Sequence, residues 1–239
     1  MTLDGNGFER AIVKHCSPTL VGIKPACLFN VPGDFAQHEK RQSTGEQNHS
    51  RQAPGTRGAS GQSTSEQGPS RLRNARLDAL VARANRQLAG TSVHVRVLAR
   101  RSCGALVLVY RPQLLARELS APRAAATMFS WGYETTGSGW LEAAIAHLGR
   151  KLENRQRCSA NGGFPHEVGL CLGYPYDDVM AFIEHEGRDY LCCGCWKVYS
   201  DQESAEACFA RYKRCTRDCE AMLGRGATLA ELTSMTVAA

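Results

Sequence analysis

The 239-residue chain lacks any apolar run approaching the ~20 residues a membrane-spanning helix requires; the longest clean one is Ala105 to Tyr110. Its first residues, MTLDGNGFER, carry no apolar stretch behind a basic start, which speaks against a secretory signal and makes a cytoplasmic location the default. Eleven cysteines in that setting are expected as reduced thiols rather than a disulfide framework, and their odd number agrees. Residues 36–70 contain no Val, Ile, Leu, Met, Phe, Trp or Tyr, so that segment buries too little apolar surface to offset its ordering entropy. It reads as a disordered insertion between an N-terminal part, residues 1–35, and the remainder, residues 71–239, of one α+β domain. Aromatics are also missing between residues 71 and 109, where Arg71, Arg73, Arg76, Arg83, Arg86, Arg100 and Arg101 cluster. Such a stripe permits phosphate contact, but without aromatic platforms it reads as a solvated helix face, and the net charge of +6 demands no acidic partner.

What is present patterns as many helices and few strands. Leu77, Leu80, Val81, Ala84 and Leu88 recur at helical spacing and stop at Gly90. Val93–Leu98 alternates and Ala105–Tyr110 is continuously apolar, which predicts a hairpin around Ser102-Cys103-Gly104. Pro112 opens a helix through Leu119, a second starts near Pro122, and Leu141, Ile145, Leu148 and Leu152 mark a longer one. Asp177 or Asp178 caps a helix through Ile183, Tyr190–Tyr199 reads as a strand, and a last long helix spans about Glu203 to Leu223. The expected class is α+β, a small sheet (the hairpin plus a C-terminal strand) covered by several helices.

Near the N-terminus, Phe8–Lys14 reads as a helix stopping at Cys16-Ser17-Pro18, with Ser17 an N-cap for a new turn through Val21. A Cys16 thiol near such a helix start gains stabilisation as thiolate. Cys16 as nucleophile, His166 as base and Glu167 as orienting carboxylate then make a candidate catalytic set. Lys24 would contact an anion near the same helix start, and His15, Thr19 and Tyr174 complete a candidate substrate pocket. The pocket is expected where the His15–Lys24 run meets the Phe164–Pro175 run, for a small-molecule or peptide-like acyl substrate. A non-catalytic binding or regulatory module, with a small molecule or protein as partner, stands as the alternative. The pattern names no cofactor.

Two metal readings are weighed. His166-Glu167 begins like a zinc-protease motif, but Leu170 stands where the second histidine must lie one turn later, which removes a ligand. Cys192 and Cys195, with Cys215 and Cys219 further on, have spacings compatible with zinc or an iron–sulfur cluster. The same cysteines also fit a helix seated on the core, because Cys208, Cys215 and Cys219 share a face with Ala205, Tyr212 and Met222.

Four runs occur in a fixed order: HCSPTLVGIKPACLF from His15, Val107–Tyr110 before Arg111-Pro112, FPHEVGLCLGYPYDD from Phe164, and WKVYSD from Trp196. With these runs the chain resembles the uncharacterised bacterial family DUF3793 over most of its length outside residues 32–70 and the tail. The resemblance implies no activity, and the C-terminal cysteines lie outside the runs that carry it.

Overall fold

The computed structural model describes residues 4–36, 67–154 and 165–235. Most of the segment read as an insertion lies outside these residues; its last four, 67–70, are already helical. Among the described residues the chain forms nine helices and two small antiparallel sheets, the α+β class expected.

The organising element is β3 (Gly104–Tyr110), the central strand of a sheet in which β1 (Ala26–Val31) and β2 (His94–Arg101) flank it. All seven residues of β3 are buried, which explains its unbroken apolar run: helices cover both faces. Ala105, Val107 and Val109 face one core together with α1 (Gly5–Leu20), α2 (Gln67–Gln87), α8 (Gln202–Gly224) and α9 (Leu229–Thr233). Leu106, Leu108 and Tyr110 face a second core with α3 (Pro112–Leu119), α4 (Pro122–Ser130), α5 (Trp140–Asn154), α6 (Glu167–Cys171) and α7 (Tyr176–Glu184). The alternation of side chains along one strand thus sorts the molecule into two halves.

The hairpin, both proline-led helices and the long C-terminal helix fall where the pattern puts them. The sheet's third strand differs. It is β1, paired antiparallel to β3 from Ala26↔Tyr110 to Val31↔Ala105. The Tyr190–Tyr199 stretch instead makes a separate two-stranded hairpin, β4 (Cys192–Cys193) with β5 (Lys197–Val198). Gly194 turns that stretch back on itself, packed so closely that a Cβ there would stand 2.3 Å from the Phe209 ring.

Helix α1 also departs from expectation. Asp4, not Ser17, is its N-cap, accepting from the Gly7 N–H at 2.6 Å, and the helix runs straight through Pro18 to Leu20. A proline inside a helix costs about 3 kcal/mol. Burial outweighs this, because Phe8, Ile12, Cys16 and Leu20 form one sealed stripe on the first core. The Ser17 hydroxyl donates to the Val13 carbonyl at 2.5 Å rather than capping anything. The helix's last carbonyls are closed from outside: Arg111 donates from Nε to the Thr19 carbonyl at 2.8 Å and from its other nitrogens to Leu20 and Ser92. That gives the Arg111-Pro112 run a concrete task, since a cation belongs at a helix C-terminus.

Candidate functional site

The two runs expected to share a pocket do meet. Gly173 has φ +69°, and a Cβ there would lie 2.5 Å from Pro25 Cγ, so the contact between Gly173-Tyr174-Pro175 and Lys24-Pro25 is closed to any residue with a side chain. Beside it, the Lys24 ammonium lies 5.0 Å from the Tyr174 ring centroid and 5.7 Å from that of Tyr212 on α8. Lys24 is only 7% exposed, and among the described residues no carboxylate pairs with it.

Asp178 carries a role the sequence pattern did not reveal. It sits on the first turn of α7, whose N-cap is Pro175 with no side-chain cap, so neither Asp177 nor Asp178 caps the helix. Asp178 is instead buried and ties α7 to the β4–β5 hairpin. Its carboxylate accepts from Trp196 Nε1 at 2.7 Å, from the Tyr199 and Ser200 N–H groups at 2.9 and 3.0 Å, and from Ser200 Oγ at 2.9 Å. The signal lay in two of the fixed-order runs, each carrying half of this knot. Tyr174, Trp196 and Phe209 then pack in series, the first pair tilted and the second edge-to-face, with centroids 5.2 and 4.5 Å apart.

Between this knot and α6 lies a cavity of about 260 Å³. Tyr174, Phe182 and Trp196 supply aromatic walls, Val168 and Val179 aliphatic ones, and His166, Lys197, Cys193 and Cys195 the polar rim. Lys197 Nζ donates to the Gly187 carbonyl at 2.5 Å and lies over the Phe182 and Tyr190 rings. His166 stands at the start of α6 with its ring 5.7 Å from that of Phe182.

The expected catalytic set does not assemble there. Cys16 is wholly buried on α1, in the helix's C-terminal half, where the dipole disfavours a thiolate; it is absent from the cavity wall. Burial pushes its thiol well above the ordinary range, and Cys27 beside it raises it further. Within this tight pair the proton stays on Cys16, while Cys27 is drawn down, first by hydrogen bonding with Cys16 and also by Lys24. Glu167 is turned to the second core, accepting from Tyr133 Oη at 2.8 Å and Lys151 Nζ at 2.7 Å. Although burial opposes ionisation, the Lys151 and Tyr133 hydrogen bonds hold this carboxyl below its ordinary value. It orients α5 against α6 rather than the His166 imidazole. His15 is exposed and stacks on Phe29 at 5.8 Å, outside the cavity. Thr19 is sealed in α1 beside Cys27, away from the cavity wall. Of the predicted residues, the structure therefore brings together Lys24 and Tyr174, and places Tyr174 and His166 on one cavity.

The cysteines proposed as metal ligands separate as well. Cys215 and Cys219 are buried in the first core against α1, whereas Cys192 is half-buried and Cys195 exposed on the hairpin. Among the described residues no three His, Cys, Asp or Glu side chains converge as a metal site. The arginine stripe is largely engaged internally: Arg83 pairs with Glu9 at 3.2 Å, Arg100 with Asp78, and Arg73 donates to the Asp34 carbonyl at 2.8 Å. No described helix is long and apolar enough to cross a membrane.

Fold and site together define an α+β protein with a small aromatic-walled cavity bordered by an aspartate knot. The chain belongs to the family DUF3793, proteins of unknown function, whose model matches residues 12–233. No curated protein and no solved structure matches the chain.

Proposed function

We propose that the protein is a non-catalytic binding module whose cavity between α6, α7 and the β4–β5 hairpin takes a small, flat, apolar molecule. The observation that carries this reading is the wall itself, three aromatic side chains at Tyr174, Phe182 and Trp196 around about 260 Å³. That composition, mainly apolar with few polar groups at the rim, is what small-molecule sites use. Acyl chemistry through a Cys16 nucleophile finds no support, because that sulfur is sealed. Glu167, next to His166 in sequence, and Asp178, on the same cavity, are committed to their own donors. Cys195, at the rim, is pushed up by partial desolvation before any neighbour acts, the opposite of an activated nucleophile. Retention of so many thiols supports a reducing compartment, the cytoplasm.

Calorimetric titration with a panel of bicyclic aromatics tests this. Wild-type protein should bind one equivalent, and Val168→Trp, which fills the cavity from α6, should abolish binding while the protein stays folded. Absence of binding across the panel would remove the proposal.

A further inference from the structure

Lys24 sits between α1 and β1, its backbone N–H donating to the Pro18 carbonyl at 3.1 Å. Its side chain is directed between the Tyr174 and Tyr212 rings. Among the described residues its ammonium makes no hydrogen bond and no ion pair with a carboxylate, at 7% exposure. A buried cation without a carboxylate partner is costly, and aromatic faces offset only part of the lost hydration. Thr19, also sealed, lies against Cys27, whose thiol is drawn down in part by Lys24.

This polar deficit is next to the cavity. Tyr174 belongs to the cavity wall and carries the Lys24 ammonium 5.0 Å from its ring centroid, and Cys195 on the same wall lies within reach of that charge. The other lysine of the rim, Lys197, is already engaged by the Gly187 carbonyl and two rings.

We infer that Lys24 is the anchor for a carboxylate carried by the cavity's flat apolar ligand, reached when the Tyr174 ring turns aside from the ammonium. The inference rests on the cavity being a ligand site. One cation in a water-poor position suits a monoanion; a dianionic phosphate would call for further donors. Exchanging a ring face for a carboxylate strengthens the interaction, because Coulomb attraction grows as the surrounding dielectric falls.

The test compares 2-naphthoate with neutral 2-naphthalenemethanol, titrated calorimetrically into the full chain and into Lys24→Met. Wild-type protein should bind the acid at least about tenfold more tightly than the alcohol, the order expected for a desolvated charge pair. Lys24→Met should bind both with the alcohol's affinity. Its Tm should stay level or rise, since an apolar residue of similar volume replaces an unpaired buried charge. Should that variant fail to fold, Lys24→Gln carries the same comparison. If Lys24 merely balances a Cys27 thiolate, the wild type shows no preference for the acid, and the inference falls. It falls equally if the preference survives in the variant, with the cavity reading intact. Binding of neither probe to wild type removes both.

Discussion

Cys16, Cys215 and Cys219 line the seam where α1 packs on α8, sealed among Ile12, Leu20 and Leu229. Cys193 and Cys195 stand exposed on the β4–β5 hairpin at the rim of the cavity. One residue type therefore serves in the first region as a small apolar filler and in the second as part of an open polar margin. The seam is held by apolar burial over long helices. The hairpin is two residues per strand and is held by one buried carboxylate with four donors. A short hairpin has too little surface to fix itself, so its geometry depends on a polar knot that can be removed by one substitution.

Thiol labelling should show the sharpest contrast. In native protein, iodoacetamide should modify Cys193 and Cys195 at least about a thousandfold faster than Cys16, Cys215 or Cys219, which react only through opening of the core. Comparable rates, read by peptide mass spectrometry, would break the distinction between the two regions.

Next in size is Asp178→Ala. Stranding the Trp196 indole, two backbone N–H groups and a hydroxyl should lower stability by about 3 kcal/mol in urea unfolding and expose Trp196, seen as a red-shifted emission. A loss within about 0.5 kcal/mol would mean that the hairpin is held by packing alone.

A matched pair of serine substitutions sharpens the comparison further. Cys16→Ser places a hydroxyl in a sealed apolar site and should cost about 2 kcal/mol. Cys195→Ser, at an exposed position, should change stability by less than about 0.5 kcal/mol. Equal effects would contradict the assignment of the two environments.

A smaller loss than that of Cys16→Ser is expected at Glu167, in the second core. Its folded-state pKa lies below the ordinary value of 4.5, so its contribution is present above that value and is lost as pH falls through the folded pKa. Glu167→Gln should cost about 1 kcal/mol at pH 7, discounted because Lys151 is partly exposed. The difference from wild type should shrink below pH 4.5. A difference independent of pH would mean that the carboxylate's charge does no stabilising.

Much of the scaffold was legible because its determinants are local. Continuous burial of Ala105–Tyr110, the prolines at 112 and 122, and the i, i+4 leucines of α5 announce their elements through spacing alone. The misreadings fell where distant contacts overrule local preference. Pro18 predicts a helix stop, yet α1 passes it because its flank is sealed against other elements and Arg111, some ninety positions away, closes its end. Asp178 has the composition of a cap, but its partners lie on the hairpin. Cys16 next to a proline resembles an activated thiol only if a helix begins there.

The sequence by itself determined the α+β class and carried the runs that mark the family, because apolar periodicity and turn chemistry act over a few residues. Tertiary structure alone decided which thiols are sealed, where the carboxylates of Glu167 and Asp178 turn, that two distant runs meet, and that Lys24 is buried with no carboxylate beside it among the described residues. Burial and electrostatics depend on neighbours brought together from far along the chain, and no local pattern encodes the dielectric around a side chain.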